Sequence, residues 1–213
     1  MRRMFRRWIG ALLLAAVASA PAAAAPAILV WGDSLSAALG IPVESGWVQL
    51  LAQRLREQGY PHAVINGSVS GETTAGGLSR LPAALAAHRP ALLLIELGGN
   101  DGLRGLPVKQ MQDNLAQMVR LGRRAGARVL VFEMRLPPNF GPAYTGAFQR
   151  SFADVARRQQ ATLVPFFLAP LVGDPSAVQE DGIHPTARAQ PRLLDAVWAV
   201  LQPFLGEKQV RSP

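Results

Sequence analysis

The chain has 213 residues, of which 49% are hydrophobic, with a formal net charge of +8 and no cysteine. This length and apolar fraction suit one globular domain with a large core and argue against intrinsic disorder. The lack of cysteine excludes disulfides, a thiol nucleophile, a thiolate metal site and a lipid-modified cysteine.

The first 25 residues predict a secretory signal peptide. Four arginines in MRRMFRRW precede the apolar run IGALLLAAVASA, and the small residues of PAAAAPA follow, which is the order found in signal sequences. An uncleaved anchor helix is less favoured, because the apolar run is short and Pro21 and Pro26 would break a longer helix. We expect cleavage within residues 22–25, a single domain over residues 26–205 and a tail over residues 206–213. The protein would then be periplasmic or secreted.

Removal of this segment would leave 18 basic and 14 acidic side chains, a net charge of +4. The remaining arginines are scattered and are not interleaved with aromatic residues, which indicates solvated helix faces rather than a nucleic-acid surface. We therefore expect no nucleic-acid partner. We also expect no stable membrane insertion after cleavage, and a monomer.

Apolar runs alternate with helix-like stretches along the rest of the chain. The predicted strands are residues 27–31, 62–66, 91–98, 127–134 and 161–167, and the predicted helices are residues 47–59, 73–88, 107–126, 144–160 and 186–205, the last interrupted by Pro191. This alternation predicts a parallel sheet with helices on both faces, a three-layer α/β domain of the flavodoxin-like kind with about five strands. Ligands bind beyond the carboxyl ends of the strands in such sheets.

Polar stretches follow the first two predicted strands. GDSLS (32–36) places Ser34 at the carboxyl rim of the sheet, where its own backbone N–H can face a developing anion, although Asp33 or Ser34 could instead only cap a turn. The stretch is not the nucleophile elbow G-x-S-x-G, because residue 36 is serine. In NGSVSGETT (66–74), Gly71 can offer an unobstructed N–H. By itself that stretch is also consistent with a loop and a helix cap at Thr73 or Thr74.

Two further stretches carry an amide and an acid–base pair. ELGGNDG (96–102) follows the central strand, and the Asn100 amide can donate to an oxyanion; an Asn-Asp turn is the alternative. In DGIHP (181–185), Asp181 precedes His184 by three residues and can accept from its Nδ1–H, which leaves Nε2 to take a proton from a serine. His184 could equally be an ordinary turn residue.

Together, these four stretches resemble the four sequence blocks of the SGNH (GDSL) hydrolase superfamily. IELGGNDGLRGLP (95–107), RLPPNFGPAYTGAF (135–148) and DGIHPTARAQP (181–191) are similar to its bacterial multifunctional acyl-CoA thioesterase I/lysophospholipase L1/arylesterase subgroup. The resemblance implies the SGNH hydrolase fold and cleavage of esters, acyl-CoA thioesters and lysophospholipids. It also implies Ser34 as nucleophile, His184 as base and Asp181 as the acid that orients it. The implied oxyanion hole is Ser34, Gly71 and Asn100, and no cofactor or metal is needed.

Apolar residues near these strand ends are candidates for an acyl groove: Leu103, Leu106, Pro137, Phe140, Tyr144 and Ile183. Ordinary packing is an equal alternative for each of them. We expect the loops GLRGLP and RLPPNFGPAY to set the preference for acyl chain length. Asp33 and Asp101 are expected to hold their loops by hydrogen bonding rather than to join the chemistry.

Three other functions are compatible with parts of the sequence. A carbohydrate deacetylase of the same superfamily would use the same residues. A metal-dependent phosphoesterase could use Asp33, Asp101, Asp181 and His184 as ligands. A non-catalytic periplasmic module that binds carbohydrate or lipid would leave the serine and histidine idle.

Overall fold

A five-stranded parallel sheet forms the centre of the protein, whose computed structural model describes residues 25–208. Its strands are β1 (Ala27–Gly32), β2 (Ala63–Asn66), β3 (Leu92–Glu96), β4 (Arg128–Phe132) and β5 (Thr162–Val164), in the order β2-β1-β3-β4-β5. Every residue of β1 and β3 is buried, as expected for central strands covered on both faces.

Helices connect the strands and cover the sheet. They are α1 (Trp47–Glu57), α2 (Thr74–His88), α3 (Gly99–Leu103), α4 (Val108–Arg124), α5 (Pro142–Gln159) and α6 (Gln190–Leu201). α1 packs against α6, whereas α4 packs between α2 and α5. Because the chain runs from β1 outward in both directions and such crossovers are right-handed, these two groups lie on opposite faces. The predicted three-layer flavodoxin-like fold is therefore confirmed.

Aromatic side chains fill much of the core. Trp47 of α1 packs between Phe132 at the end of β4 and Phe167, with ring centroids 5.9 and 5.6 Å away. Between α5 and the sheet, Phe148 and Phe152 meet edge to face at 5.1 Å. Full burial of one such side chain contributes about 1.5–3 kcal/mol, so these contacts fix the helices against the strands whose ends carry the polar motifs.

The structure differs from the sequence prediction in a few elements. β5 has three residues, shorter than the predicted 161–167. The short helix α3 was expected to be loop. Pro191 does not interrupt the last helix but stands in its first turn, where the missing N–H would have no partner in any case. Ahead of it, Ala187–Ala189 form a separate 3-10 turn.

The strand order brings three loops to one edge. β1 lies between β2 and β3, so the segments after these strands emerge side by side, at the point where the chain direction across the sheet reverses. Among residues 25–208, no helix combines the length and apolar character needed to cross a bilayer. The predicted signal peptide and most of the predicted tail lie outside the described residues.

Candidate active site

The segment after β1 folds as a tight turn, here called the serine turn (residues 33–41). Asp33 Oδ1 accepts from Leu35 N at 3.1 Å, and the carbonyls of Asp33 and Ser34 accept from Ala37 N and Leu39 N at 2.9 and 3.2 Å. The turn holds Ser34 at the end of the strand with only 8% of its surface exposed. Ser34 therefore has a defined position and is largely shielded from solvent.

The segment between β5 and α6 carries His184 in the histidine loop (residues 178–186). Asp181 Oδ1 accepts from the backbone N–H groups of Ile183 and His184, both at 2.9 Å, and Gly182 adopts φ +70°, which favours glycine. Asp181 Oδ2 lies 2.6 Å from His184 Nδ1. The loop therefore orients the imidazole through contacts with a residue only three positions away.

The charge state of Asp181 sets the direction of these hydrogen bonds. The N–H groups of His184 and Ile183, followed by the imidazole, lower the pKa of Asp181 to about 2. An ionised carboxylate only accepts hydrogen bonds, so the proton of a neutral His184 ring belongs on Nδ1. Nε2 then faces Ser34 Oγ, 2.8 Å away, as an acceptor.

Gly71 and Asn100 line the same pocket as Ser34 and His184. Gly71 lies between β2 and α2 with φ +77°, and Asn100 lies in the first turn of α3. Within the part of the chain that the structure describes, neither Ser34 N nor Gly71 N donates a hydrogen bond. Asn100 Nδ2 uses one hydrogen on Asp33 Oδ2 at 3.0 Å and has a second one to offer. Three N–H donors therefore remain at this edge of the sheet.

Asp33 and Asp101 both hold loops, as expected. Asp33 joins the serine turn to Asn100 through its two carboxylate oxygens. Asp101 accepts from both the backbone N–H and the hydroxyl of Thr74 at 2.9 and 2.5 Å, which attaches the start of α3 to the start of α2. Asn100 is held by its own hydrogen bond to Asp33 and by the anchoring of its neighbour Asp101 to Thr74.

Another buried carboxyl group, which sequence reasoning missed, lies next to Asp33. Glu96 ends β3 and is fully buried; its Oε2 accepts from Ser36 Oγ at 2.7 Å and from Asp33 N at 3.3 Å. Its Oε1 has no partner in residues 25–208. Burial, and then the negative charge of Asp33, raise the pKa of Glu96 well above its usual value. Its position in an apolar strand is consistent with burial, but nothing in the sequence indicated that its carboxyl would contact Ser36 and Asp33.

The two carboxyls share a desolvated region in which only one is readily ionised. Burial raises the pKa of Asp33 to about 6, and the hydrogen bonds from Leu35 and Asn100 oppose this rise. The pKa of Glu96 is raised by its own burial and by the charge of Asp33, so ionisation of Asp33 opposes ionisation of Glu96.

An open pocket of about 480 Å³ extends from Ser34 and His184. Its walls are mainly aliphatic and aromatic, and the residues of the wall that sequence reasoning missed include Leu35, Leu39, Leu136, Phe166, Leu171 and Val172. Of the predicted groove residues, Leu103, Pro137 and Ile183 line the pocket. The volume and the apolar walls match those of small-molecule sites in general.

Leu106, Phe140 and Tyr144 are placed differently from the prediction, since they do not line the pocket. Tyr144 donates its hydroxyl hydrogen to Leu106 O at 2.8 Å, and its ring stacks on Phe140 with centroids 6.3 Å apart. These three residues join the two loops behind the wall. Proximity to a motif in sequence did not reveal the side to which each residue points.

The proposed metal ligands are not assembled as a metal site. Among residues 25–208, no group of three or more histidine, aspartate or glutamate side chains is placed to hold an ion. The oxygens of Asp101 and Asp33 already accept from backbone, hydroxyl and amide hydrogens. This arrangement favours a reaction carried by the serine and histidine.

Comparison of the sequence with known protein families agrees with the geometry of the site. The family described as GDSL-like lipase/acylhydrolase matches residues 30–191, and the chain belongs to that family. It is similar to the esterase TesA of Pseudomonas aeruginosa, with 53% identity over 192 residues that cover 90% of this chain and 96% of that protein. It is 38% identical to thioesterase 1/protease 1/lysophospholipase L1 of Escherichia coli K12 over 200 residues, covering 94% of this chain and 95% of that protein.

A solved structure supports the same relationship. The crystal structure of TesA superposes with a TM-score of 0.82 at 54% identity and covers 84% of this chain and 99% of that chain.

The raised pKa of Glu96 should make the stability of the protein depend on pH. The pKa of Glu96 in the folded state is raised above the unfolded value of about 4.3. The contribution of Glu96 to the free energy of unfolding is therefore fully present below that pH and is lost as the pH rises toward the folded-state pKa. Glu96→Gln cannot ionise and can still accept from Ser36 and Asp33. Denaturant unfolding should show the free energy of unfolding of this variant increasing relative to wild type between pH 4 and pH 8. The exposed Glu44→Gln is the control, and a Glu96→Gln difference that is constant with pH would contradict the assignment.

Proposed function

We propose that Ser34 is the nucleophile of a serine hydrolase that cleaves carboxylic esters and thioesters through an acyl-enzyme. The observation that carries this proposal is the chain of contacts from Ser34 Oγ to His184 Nε2 at 2.8 Å and from His184 Nδ1 to Asp181 at 2.6 Å, at the floor of an apolar pocket. Membership of the GDSL-like lipase/acylhydrolase family supports the same chemistry.

Acylation begins with attack of Ser34 Oγ on the substrate carbonyl carbon. His184 Nε2 takes the hydroxyl proton as the C–O bond forms, and the ionised Asp181 stabilises the imidazolium. His184 then passes that proton to the leaving alcohol or thiol as its bond to the carbonyl carbon breaks. Because Asp181 is anchored by two backbone N–H groups, the ring keeps its orientation through both transfers.

The carbonyl oxygen becomes an oxyanion when the tetrahedral intermediate forms. We assign its stabilisation to Ser34 N, Gly71 N and the free hydrogen of Asn100 Nδ2. Removal of one donor of this kind typically raises the barrier by about 2.7–4 kcal/mol. Water, deprotonated by His184, then attacks the acyl-enzyme; His184 returns that proton to Ser34 Oγ as the ester bond breaks, and the acid is released.

An acyl chain fits the pocket better than a sugar does. Most side chains that line the pocket are apolar: leucine, valine, isoleucine, methionine, proline and phenylalanine. Arg135 and Asp33 are charged residues of the lining besides the reacting ones. A carbohydrate would need hydrogen-bond partners for its hydroxyls. A relative named for thioesterase and lysophospholipase activities supports extension of the substrates to acyl thioesters and lysophospholipids. The deacetylase remains the second candidate only on the basis of its shared residues.

We also propose that residues 1–25 are a signal peptide, cleaved within residues 22–25, that delivers a single-domain protein to the periplasm or the medium. We propose that it acts as a monomer, since Ser34, His184 and Asp181 contact one another within one chain and need no partner to complete the site.

Replacement of the nucleophile tests the mechanism. Ser34→Ala should lower kcat at least about 10³-fold on p-nitrophenyl esters and on palmitoyl-CoA, because nucleophile and base act as a unit. Steady-state rates with and without EDTA check this, together with stoichiometric labelling of wild type by a fluorophosphonate. A Ser34→Ala protein that keeps its activity, or activity lost in EDTA and restored by added metal, would refute the proposal.

Two leucines with nearly equal exposure test the acyl pocket. Leu103 (39% exposed) lines the pocket, whereas Leu106 (38% exposed) does not. Leu103→Asp should lower kcat/KM for octanoyl esters about tenfold or more, since each CH₂ removed from water contributes about 0.8 kcal/mol, and should change acetyl ester hydrolysis much less. Leu106→Asp should affect neither substrate selectively. Equal losses on both substrates for Leu103→Asp would show that the chain binds elsewhere.

The N-terminal segment can be tested by export. Expressed with its own N-terminus in a Gram-negative host, the protein should appear outside the cytoplasm with a mass that places its first residue after a cut within residues 22–25. A chain that lacks residues 1–24 should remain in the cytoplasm. An intact N-terminal mass in the exported fraction would contradict cleavage.

A further inference from the structure

Two segments far apart in sequence must be held at a fixed distance from each other for the Ser34–His184 contact to form. Ser34 belongs to the serine turn after β1, and His184 belongs to the histidine loop before α6, 150 residues later. The contact between them is one hydrogen bond from a side chain that must also react. Other groups therefore have to fix the distance between the two segments.

The side chain of Gln179 spans this gap. Its Nε2 donates to Leu39 O in the serine turn at 2.8 Å and to Pro185 O, directly after the histidine, at 3.1 Å. Both amide hydrogens are thus used, one on each segment. Because Gln179 does not line the pocket, it reaches the reacting atoms only through the segments it joins.

The backbone of Gln179 also closes the histidine loop on itself. Gln179 N donates to His184 O at 2.7 Å, and Gln179 O accepts from Gly182 N at 2.9 Å. An isolated bridge between Val178 and Pro185 extends the same pairing. One residue therefore fixes both the shape of the loop and, through its side chain, the position of the loop against the serine turn.

Gly40 provides the space in which this amide lies. Gly40 has φ +75°, and a Cβ atom built on it would collide with Gln179 Oε1. The amide therefore rests directly on the bare α-carbon of Gly40. A side chain at position 40 would displace Gln179 without altering Gln179 itself.

We propose that Gln179 is a positioning residue that holds the His184 loop against the Ser34 turn, with Gly40 as the surface that receives it. The inference rests on the proposed roles of Ser34 and His184. Loss of the bridge frees the histidine loop to move relative to the nucleophile, and misplacement of about 1 Å can cost about 100-fold in rate. Proton transfer should suffer, whereas binding of a short acyl group in the pocket should not.

The test uses Gln179→Met, which keeps the length of the side chain but removes both hydrogen bonds, and Gly40→Ala, which displaces the amide. Gln53→Met, on the exposed face of α1, is the matched control for the first variant. Gly126→Ala is the control for the second, because Gly126 also has a positive φ (+87°) but no atom within 4 Å of an added Cβ. Each protein is assayed with an acetyl ester, with active sites counted by exhaustive fluorophosphonate labelling.

We expect Gln179→Met and Gly40→Ala each to lower kcat per active site about tenfold or more, with KM within about twofold of wild type, and the fluorophosphonate reaction to slow in parallel. The double variant should be no slower than the slower single variant, because both remove one interaction. The two control variants should keep the wild-type kcat.

Three results would overturn the proposal. In the first, Gln179→Met keeps kcat per active site within about twofold of wild type while Ser34→Ala is inactive; the proposed function would stand and only the role of Gln179 would fall. In the second, the variants have a lower melting temperature and fewer labelled active sites but an unchanged kcat per active site; Gln179 would then have a purely structural role. In the third, Ser34→Ala is active, and the proposed function fails with it.

Discussion

The pairing of β1 with β3 is the constraint on which the rest of the molecule depends. In that register Gly32 lies opposite Glu96, so the two strands end together and their following segments start side by side. A Cβ on Gly32 would approach Glu96 Oε2 to 2.6 Å, and only a residue without a side chain permits this spacing. Ser34 and Asn100 line the same pocket because the strands that precede them end opposite each other.

This arrangement has a thermodynamic cost beneath the site. A fully buried carboxyl with one unpartnered oxygen, next to a second buried carboxyl, is not what a sequence selected for stability alone would contain. Glu96 accepts from Ser36 and from Asp33 N, and Asp33 in turn holds Asn100. The Glu96–Asp33 pair thus links the end of β3 to the serine turn and to Asn100. Natural proteins commonly give up stability in this way near a reacting centre.

Much of the fold followed from the sequence because its physical signals are local. Apolar runs in β1 and β3 and the amphipathic stretch of α4 are visible in single windows, and the Asp181–His184 contact spans three residues. Pocket walls were harder to predict. Phe166 was assigned to the last predicted strand rather than to a pocket wall, and Val172 follows in a segment without a motif. Leu106 and Tyr144 lie near a motif yet do not line the pocket. Gln179 was missed because its partners, Leu39 and Gly40, lie about 140 residues away, where only the folded backbone brings them together.

The reacting groups divide unequally along the chain, with the donors and Ser34 in the first 100 residues and the acid–base pair in a single loop near the end. The acid–base half is a local unit that can orient itself as soon as residues 179–184 close their own turn. Ser34 contacts His184 only when that loop docks against the serine turn. A nascent chain therefore carries Ser34 through most of its synthesis without His184, and the contact between them can form only after nearly the whole domain has been made.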